Sequence, residues 1–447
     1  MLTKSEIRNM YMQPYESKKD VYDKRIAEGI EANRKGICRM QILDTEGRPV
    51  SGLRVHVNQI DHAFRHGANI FMLDEFENEA YNTEYRRLFR EYFNLATVPF
   101  FWKDNEREEG KPRYAKDSPR IYRRPPTDLC VEYCEENGIL PKLHCLVYDE
   151  WTPDWAINLP LPELKKKYEK RFREIAERYS GRMYELEVIN EVLRLKKDGY
   201  RLSAEPDVIA WAFGLAREVF PNETLLINEA AMVPWMRTED PYYLLIRDNL
   251  QKGVSIDKIV MQNQLYTGVG AHTPEEYERD IRNGVPVNDP ENIFRGLDVM
   301  ASLGLPLEIG EVTVPTFGET EEDEQLQADM LRLWYSIWFS HPAVESVLYW
   351  NTPEGYAHSF NDNWVENRVR GGLFHHDLTP KKSALMLKKL FDEEWHTEGE
   401  YVTDTDGILE FRGFFGKYDI AAVTDGKQDS RRISFQEHTT APVSLVL

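Results

Sequence analysis

Eight short apolar runs, each followed by an amphipathic stretch, set the limits on what this chain can fold into. The runs fall at residues 68–72, 95–98, 140–147, 184–189, 224–228, 258–264, 305–310 and 346–350. Helical periodicity occupies 77–92, 126–137, 162–179, 205–219, 241–252, 290–303, 321–339 and 380–391. Strand and helix alternating over eight strands predict an α/β fold, a parallel closed (β/α)8 TIM barrel, because each crossover places its helix on the outside. An open doubly wound sheet is the competing arrangement. Against it, the chemistry-bearing residues are spread over most strand ends instead of gathering at one switch point.

The remaining segments read differently. Residues 1–35 form a polar helical segment. Residues 38–59 alternate as two strands around Asp44-Thr45-Glu46-Gly47-Arg48-Pro49, a strong turn signal that predicts a β-hairpin. Past residue 394 the pattern becomes short alternating strands, with turns at Thr403-Asp404-Thr405-Asp406-Gly407 and Asp425-Gly426-Lys427. Neither end holds a core of its own, so the two are expected to pack into one small accessory β-sandwich. The division is then 1–35, 36–62, a barrel over 63–394, and 395–447 joining 36–62 in the accessory module. A chain of 447 residues accommodates one barrel plus such a module.

Composition excludes several classes of function. A net charge of −20 repels polyanions, and no basic stretch interleaved with aromatics offsets it, which argues against nucleic acid as a partner. No apolar run has membrane length, and the start of the chain lacks a signal-peptide core, so a soluble cytoplasmic protein is expected. A secreted chain trimmed of its leader would read the same way. Cys38, Cys130, Cys134 and Cys145 read as reduced core thiols, the middle two being four apart on a helix, poor geometry for a disulfide.

Two glutamates carry the chemistry. Glu191 closes Leu186-Glu187-Val188-Ile189-Asn190-Glu191, and Glu311 closes Leu307-Glu308-Ile309-Gly310-Glu311. Carboxyl groups at the carboxyl ends of two barrel strands can face one another across one pocket. Such a pair suits acid/base and nucleophilic work on a glycosidic bond. Roughly 5 Å between the carboxyls implies retention through a covalent intermediate, and roughly 6.5–9.5 Å implies inversion. Alternation places Glu308 and Glu311 on opposite faces, so one of them should point into the mouth. The bland alternative for Asn190-Glu191 is a helix cap.

These motifs resemble glycoside hydrolase family 10, the endo-β-1,4-xylanase barrels, over about residues 66–395. Residues 186–191 resemble the acid/base motif Trp-Asp-Val-Val-Asn-Glu, and 307–311 resemble the nucleophile motif. His66-Gly67-Ala68, Phe93-Asn94 with Thr97, His144-Cys145-Leu146-Val147, Leu226-Ile227-Asn228-Glu229, Ile256-Asp257 through Gln262, Trp350, and Gly372-Leu373-Phe374 with Asp377, Pro380 and Lys381 follow in order. The resemblance implies Glu191 as acid/base and Glu311 as nucleophile. It implies sugar contacts from Asn190, His144, Lys103, Gln262 and Trp350, with Trp364 as a further aromatic candidate.

The chain also departs from the pattern. Val98-Pro99-Phe100-Phe101 follows Thr97 where the family has a Glu-Asn pair gripping the distal xylose. Tyr148-Asp149 replaces Trp-His and adds an acid to the rim. Gln264 stands in for the histidine beside the nucleophile and can donate a hydrogen bond without carrying charge. The expectation is a retaining β-glycosidase, xylanase-like but acting on a modified or short oligosaccharide or glycoside, without cofactor or metal. The alternative is an idle carbohydrate-binding barrel. His375-His376-Asp377 is not read as a metal site, because adjacent side chains on an extended segment diverge.

Overall fold

A computed structural model describes residues 2–424, 427–436 and 443–446, so Asp425 and Gly426 of the expected turn lie outside it. The chain divides into two compact units, one of Met1–Lys18, His66–Tyr335 and Ala343–Ala384, the other of Lys19–Arg65, Ser336–Pro342 and Leu385–Leu447. Among the described residues no helix is long and apolar enough to cross a membrane.

The chain's first two strands are β1 (Lys35–Leu43) and β2 (Arg54–His62). Eight more follow: β3 (Arg65–Asn69), β4 (Leu95–Pro99), β5 (Leu140–His144), β6 (Glu185–Asn190), β7 (Thr224–Glu229), β8 (Lys258–Gln264), β9 (Leu307–Thr313) and β10 (Val344–Tyr349). Strands β3 to β10 close in sequence order into a barrel, β10 lying beside β3. Its strands pair in parallel, as the strand–helix alternation requires. At Gly67 a side chain would meet the Leu95 carbonyl oxygen at 2.1 Å, so only glycine allows β3 and β4 this approach. The first strand ends at Asn69, earlier than the run 68–72 suggests. Ile70-Phe71-Met72-Leu73 is buried as a turn over the barrel mouth, and a buried turn carries the same apolar signal as a strand. The helix Pro274–Gly284, absent from the sequence reading, starts at a capping box of Thr273 and Glu276.

A short pair, β11 (Ser359–Asn361) and β12 (Trp364–Val365), lies in the segment after β10. The second unit holds two sheets, built with β13 (Glu398–Val402), β14 (Ile408–Phe414), β15 (Gly416–Thr424), β16 (Lys427–Phe435) and β17 (Val443–Val446). One sheet runs β14-β1-β17 and the other β13-β2-β15-β16. Their inner faces share a core that includes Met40, Ile42, Val55, Val57, Phe411, Tyr418, Ile420 and Phe435. Burying each such side chain contributes about 1.5–3 kcal/mol, which neither terminal segment could gain alone.

The hairpin expected over 38–59 is therefore corrected. Asp44 Oδ1 does close the turn, accepting from Glu46 N and Arg48 N, each at 2.9 Å. Beyond it, β1 and β2 join different sheets. Both carry apolar residues at alternate positions, and a lone hairpin would leave those faces in water.

His62 ends β2 and is buried against Phe339, Phe391 and Phe414. Burial pushes its imidazole down to about 4. The unfolded chain therefore takes up this proton first, and stability is lost as pH falls from about 6.5 through 4. Urea unfolding should show that loss between pH 7 and 4.5, and His62→Gln should flatten it. An unchanged slope in the variant would contradict the assignment.

Candidate active site

The barrel interior is ionic. Glu345, half exposed, lies 3.2 Å from Lys258, and Lys258 lies 2.9 Å from Glu185. Lys142 contacts both Glu308 and Glu187, the latter at 2.5 Å, and Ser346 donates to Glu308 at 2.6 Å. Glu187 also meets His144 Nδ1. Burial alone would raise the Glu187 carboxyl, but the Lys142 ammonium and His144 outweigh it and hold Glu187 at about 2. Asn228 Nδ2 then donates to Glu187 Oε1 at 3.3 Å and to Glu311 Oε1 at 3.0 Å, joining this column to the mouth.

Both Glu308 and Glu311 point inward, which simple alternation forbids. The pairing of β8 with β9 slips by one residue, Met261 facing Ile309 and Gln262 facing Glu311, so Gly310 is extra. A side chain at Gly310 would come within 2.3 Å of Val260 Cγ1. The bulge reverses the parity of the strand, placing Glu308 deep in the column and Glu311 above it. A matching slip in β6 leaves Val188 extra between Glu187 and Asn190.

Glu311 is buried and accepts from three neutral amides: Asn228, Gln262 Nε2 at 3.1 Å and Gln264 Nε2 at 2.5 Å. Burial, with the charges of Glu191 and Glu187 behind it, raises the Glu311 carboxyl well above its ordinary range. Glu191 sits between β6 and the short helix Val192–Lys197, with φ +52° and ψ +37°, and its side chain makes no cap bond. Its carboxylate instead accepts from Tyr148 Oη at 2.7 Å, Arg194 Nε at 2.5 Å and Gln262 Nε2 at 3.1 Å. Gln262 Nε2 thus bridges the two acids. Its nitrogen lies 3.1 Å from one oxygen of each acid. Asn190 is buried beside them, its Oδ1 without a hydrogen-bond partner.

Aromatic rings line the adjoining wall. Phe71, Phe101, His144 and Trp350 form a closed circuit with successive centroid separations of 5.8, 5.2, 5.6 and 5.4 Å. Arg124 lies 4.1 Å over Phe101 and is paired with Asp104 at 2.9 Å, while Arg123 donates to Asn351 at 2.8 Å. Trp364, partly exposed, meets Tyr266 edge-on at 5.2 Å.

Two more of the assigned residues lie apart from the paired acids, and the second, Asp149, is corrected. Lys103 is in a solvent-facing ion pair with Asp154 at 2.6 Å, the side chains 43% and 83% exposed, outside the hydrogen-bonded network of the two acids. Asp149 is buried, its Oδ2 accepting from Leu202 N and Ser203 N, each at 3.0 Å, so it anchors that loop instead of lining the rim. His375 and His376 go to Glu324 and to the Tyr356 ring.

The family model for glycosyl hydrolase family 10 matches residues 60–389. The chain belongs to glycosyl hydrolase family 10. Within curated proteins it is 26% identical over 410 residues to the anti-sigma-I factor RsgI6 of Acetivibrio thermocellus, covering 90% of this chain and 46% of that protein. It is 23% identical over 400 residues to endo-1,4-beta-xylanase 1 of Arabidopsis thaliana, covering 88% and 37%. The chain thus spans less than half the length of these relatives. Its fold matches the crystal structure of xylanase 10B from Thermotoga petrophila RKU-1 in complex with xylobiose, with TM-score 0.55, 21% identity, and coverage of 74% of this chain and 95% of that one.

Several residues of this family 10 site escaped the sequence reading: Arg194, Glu187, Lys142, Phe71 and the Arg123-Arg124 pair. Charged residues at alternate positions of apolar strands, Glu185 and Glu187 above all, were the available signal for the column. Lys142→Met strands two buried carboxylates and should destabilise the protein by about 3–5 kcal/mol in urea unfolding. Adding Glu308→Gln should recover part of it. A loss under about 1 kcal/mol would contradict the role given to Lys142.

Proposed function

We propose that this protein is a retaining β-glycosidase that cleaves short β-linked oligosaccharides or glycosides of the xylose-containing class. The observation that carries this reading is that Glu191 and Glu311 both accept from the one Gln262 amide, which brings the two carboxyls together at a single point of the mouth, as a covalent intermediate requires. Glu311 attacks the anomeric carbon while Glu191 gives its proton to the departing oxygen, so the glycosidic bond breaks as a glycosyl ester forms. Glu191, now a carboxylate, takes a proton from water, which attacks the same carbon and releases Glu311.

Asn228, Gln262 and Gln264 orient the Glu311 oxygens without adding charge. Trp350 and His144 provide the surface under the reacting sugar, with Asn190 Oδ1 available to a hydroxyl donor. The reading of a short substrate rests on the end of β4. Pro99 and the buried rings of Phe100 and Phe101 offer no side-chain hydrogen bond to a second sugar, and Arg123 and Arg124 already have partners within the protein. The relatives named endo-1,4-beta-xylanase support the xylose-containing class.

One observation favours a second reading, sugar binding without turnover: the Glu191 carboxylate is engaged by an arginine. A panel of aryl β-glycosides and xylo-oligosaccharides separates the two. Hydrolysis by the wild type, lost by roughly 10⁴-fold or more in a folded Glu311→Ala variant, is the expected result. Binding with no hydrolysis would favour the idle barrel, and near wild-type rates in the variant would reject Glu311 as nucleophile.

A further inference from the structure

We propose that Arg194 is a positioning residue that decides which half-reaction Glu191 is set for. Held by Arg194, Glu191 is the base; released, with Arg194 moved onto Glu150 and Asp198, it is the acid. This rests on the roles given above to Glu191 and Glu311.

The geometry follows from sequence spacing. Arg194 lies three residues after Glu191 on the helix Val192–Lys197, and helical side chains three apart share a face. Its Nε meets Glu191 Oε2 at 2.5 Å. Its Nη2 meets Tyr148 Oη at 3.0 Å and Glu150 Oε2 at 2.5 Å, and its Nη1 lies 3.4 Å from Asp198 Oδ2. A guanidinium N–H donates and cannot accept, so the Arg194 contact at Oε2 favours the charged carboxylate over the protonated acid. Glu191 is therefore better set to carry the proton a leaving group needs once Arg194 has moved away.

Arg194 is the contact able to open. Gln262 is buried and tied to both acids, whereas Arg194 is 33% exposed and already touches two other carboxylates. Moving from Glu191 to Glu150 and Asp198 leaves the guanidinium paired throughout, so no isolated charge is created. The charged and titratable groups around Glu191 include Arg194, Tyr148, Cys145, Glu311, Glu229 and Tyr266, with Glu150 and Asp198 reached through Arg194. Arg194 is the cation that contacts the Glu191 carboxylate directly, so its removal acts on the proton of Glu191 first.

The test compares phenyl and 2,4-dinitrophenyl β-xylosides across pH for the wild type, Arg194→Gln, Arg194→Lys and Glu150→Gln. The phenyl substrate needs the acid and the dinitrophenyl substrate does not. In Arg194→Gln the alkaline limb of kcat/KM for the phenyl substrate should move up by about one pH unit, an approximately tenfold gain on that limb. The dinitrophenyl kcat/KM should hold within about twofold. Glu150→Gln, which removes the alternative seat, should move the limb the opposite way, and Arg194→Lys should stay near the wild type. Superimposable pH profiles, or equal losses on both substrates, would mean that Arg194 only supports the fold and would overturn the proposal. A wild type that hydrolyses neither substrate would overturn the parent reading and this one with it.

Discussion

The structure depends on a column of charge buried inside its barrel. Lys142, Lys258, Glu185, Glu187 and Glu308 lie on four strands, all nearly inaccessible to water, and each needs an opposite charge at contact distance. Such groups tolerate one register, because a slip of a single residue would turn them toward the apolar helices outside. The two bulges are part of that arrangement. By adding Val188 and Gly310, they turn Asn190 inward on β6 and let β9 send Glu308 into the column and Glu311 to the mouth. Asn228 bonds to both levels, so the orientation of Glu311 is tied to the integrity of the interior.

At the mouth, the two acids occupy different surroundings. Glu311 is enclosed by neutral amides and pushed upward by burial, while Glu191 touches a cation and a phenol near solvent. Burial favours the proton on Glu311, the reverse of what a nucleophile needs, so the division of work proposed for the pair rests on the strand positions of the two acids and not on these surroundings. Beside the pair, the rings of Phe71, Phe101, His144 and Trp350 pack edge to face, the first three buried.

Much of this was legible in the sequence. The eight strands could be read because strands covered on both sides must be continuously apolar and must alternate with helices. The ends of β6 and β9 could be read because acids there break an apolar run at the place where a barrel opens. Parity fails at Gly310, where the bulge leaves no mark but a glycine, and glycine has many uses. The pairing of β1 with β14 and β17 was hidden because partners hundreds of residues apart leave no local trace. Asp149 is misleading for a related reason: its position matches a pattern, but the backbone of residues 202–203 competes for its carboxylate. Arg194 lies only three residues from Glu191, yet its contact leaves no signal in the sequence, because a charge in the first turn of a surface helix ordinarily faces solvent.

The central claim is that Glu191 and Glu311 act in turn on one anomeric carbon. Proton NMR of the sugar released in the first moments of hydrolysis of an aryl β-xyloside, before mutarotation, tests it directly. The account predicts the β-anomer as the initial product, the outcome of two successive displacements. An initial α-anomer would mean a single displacement by water and would contradict it.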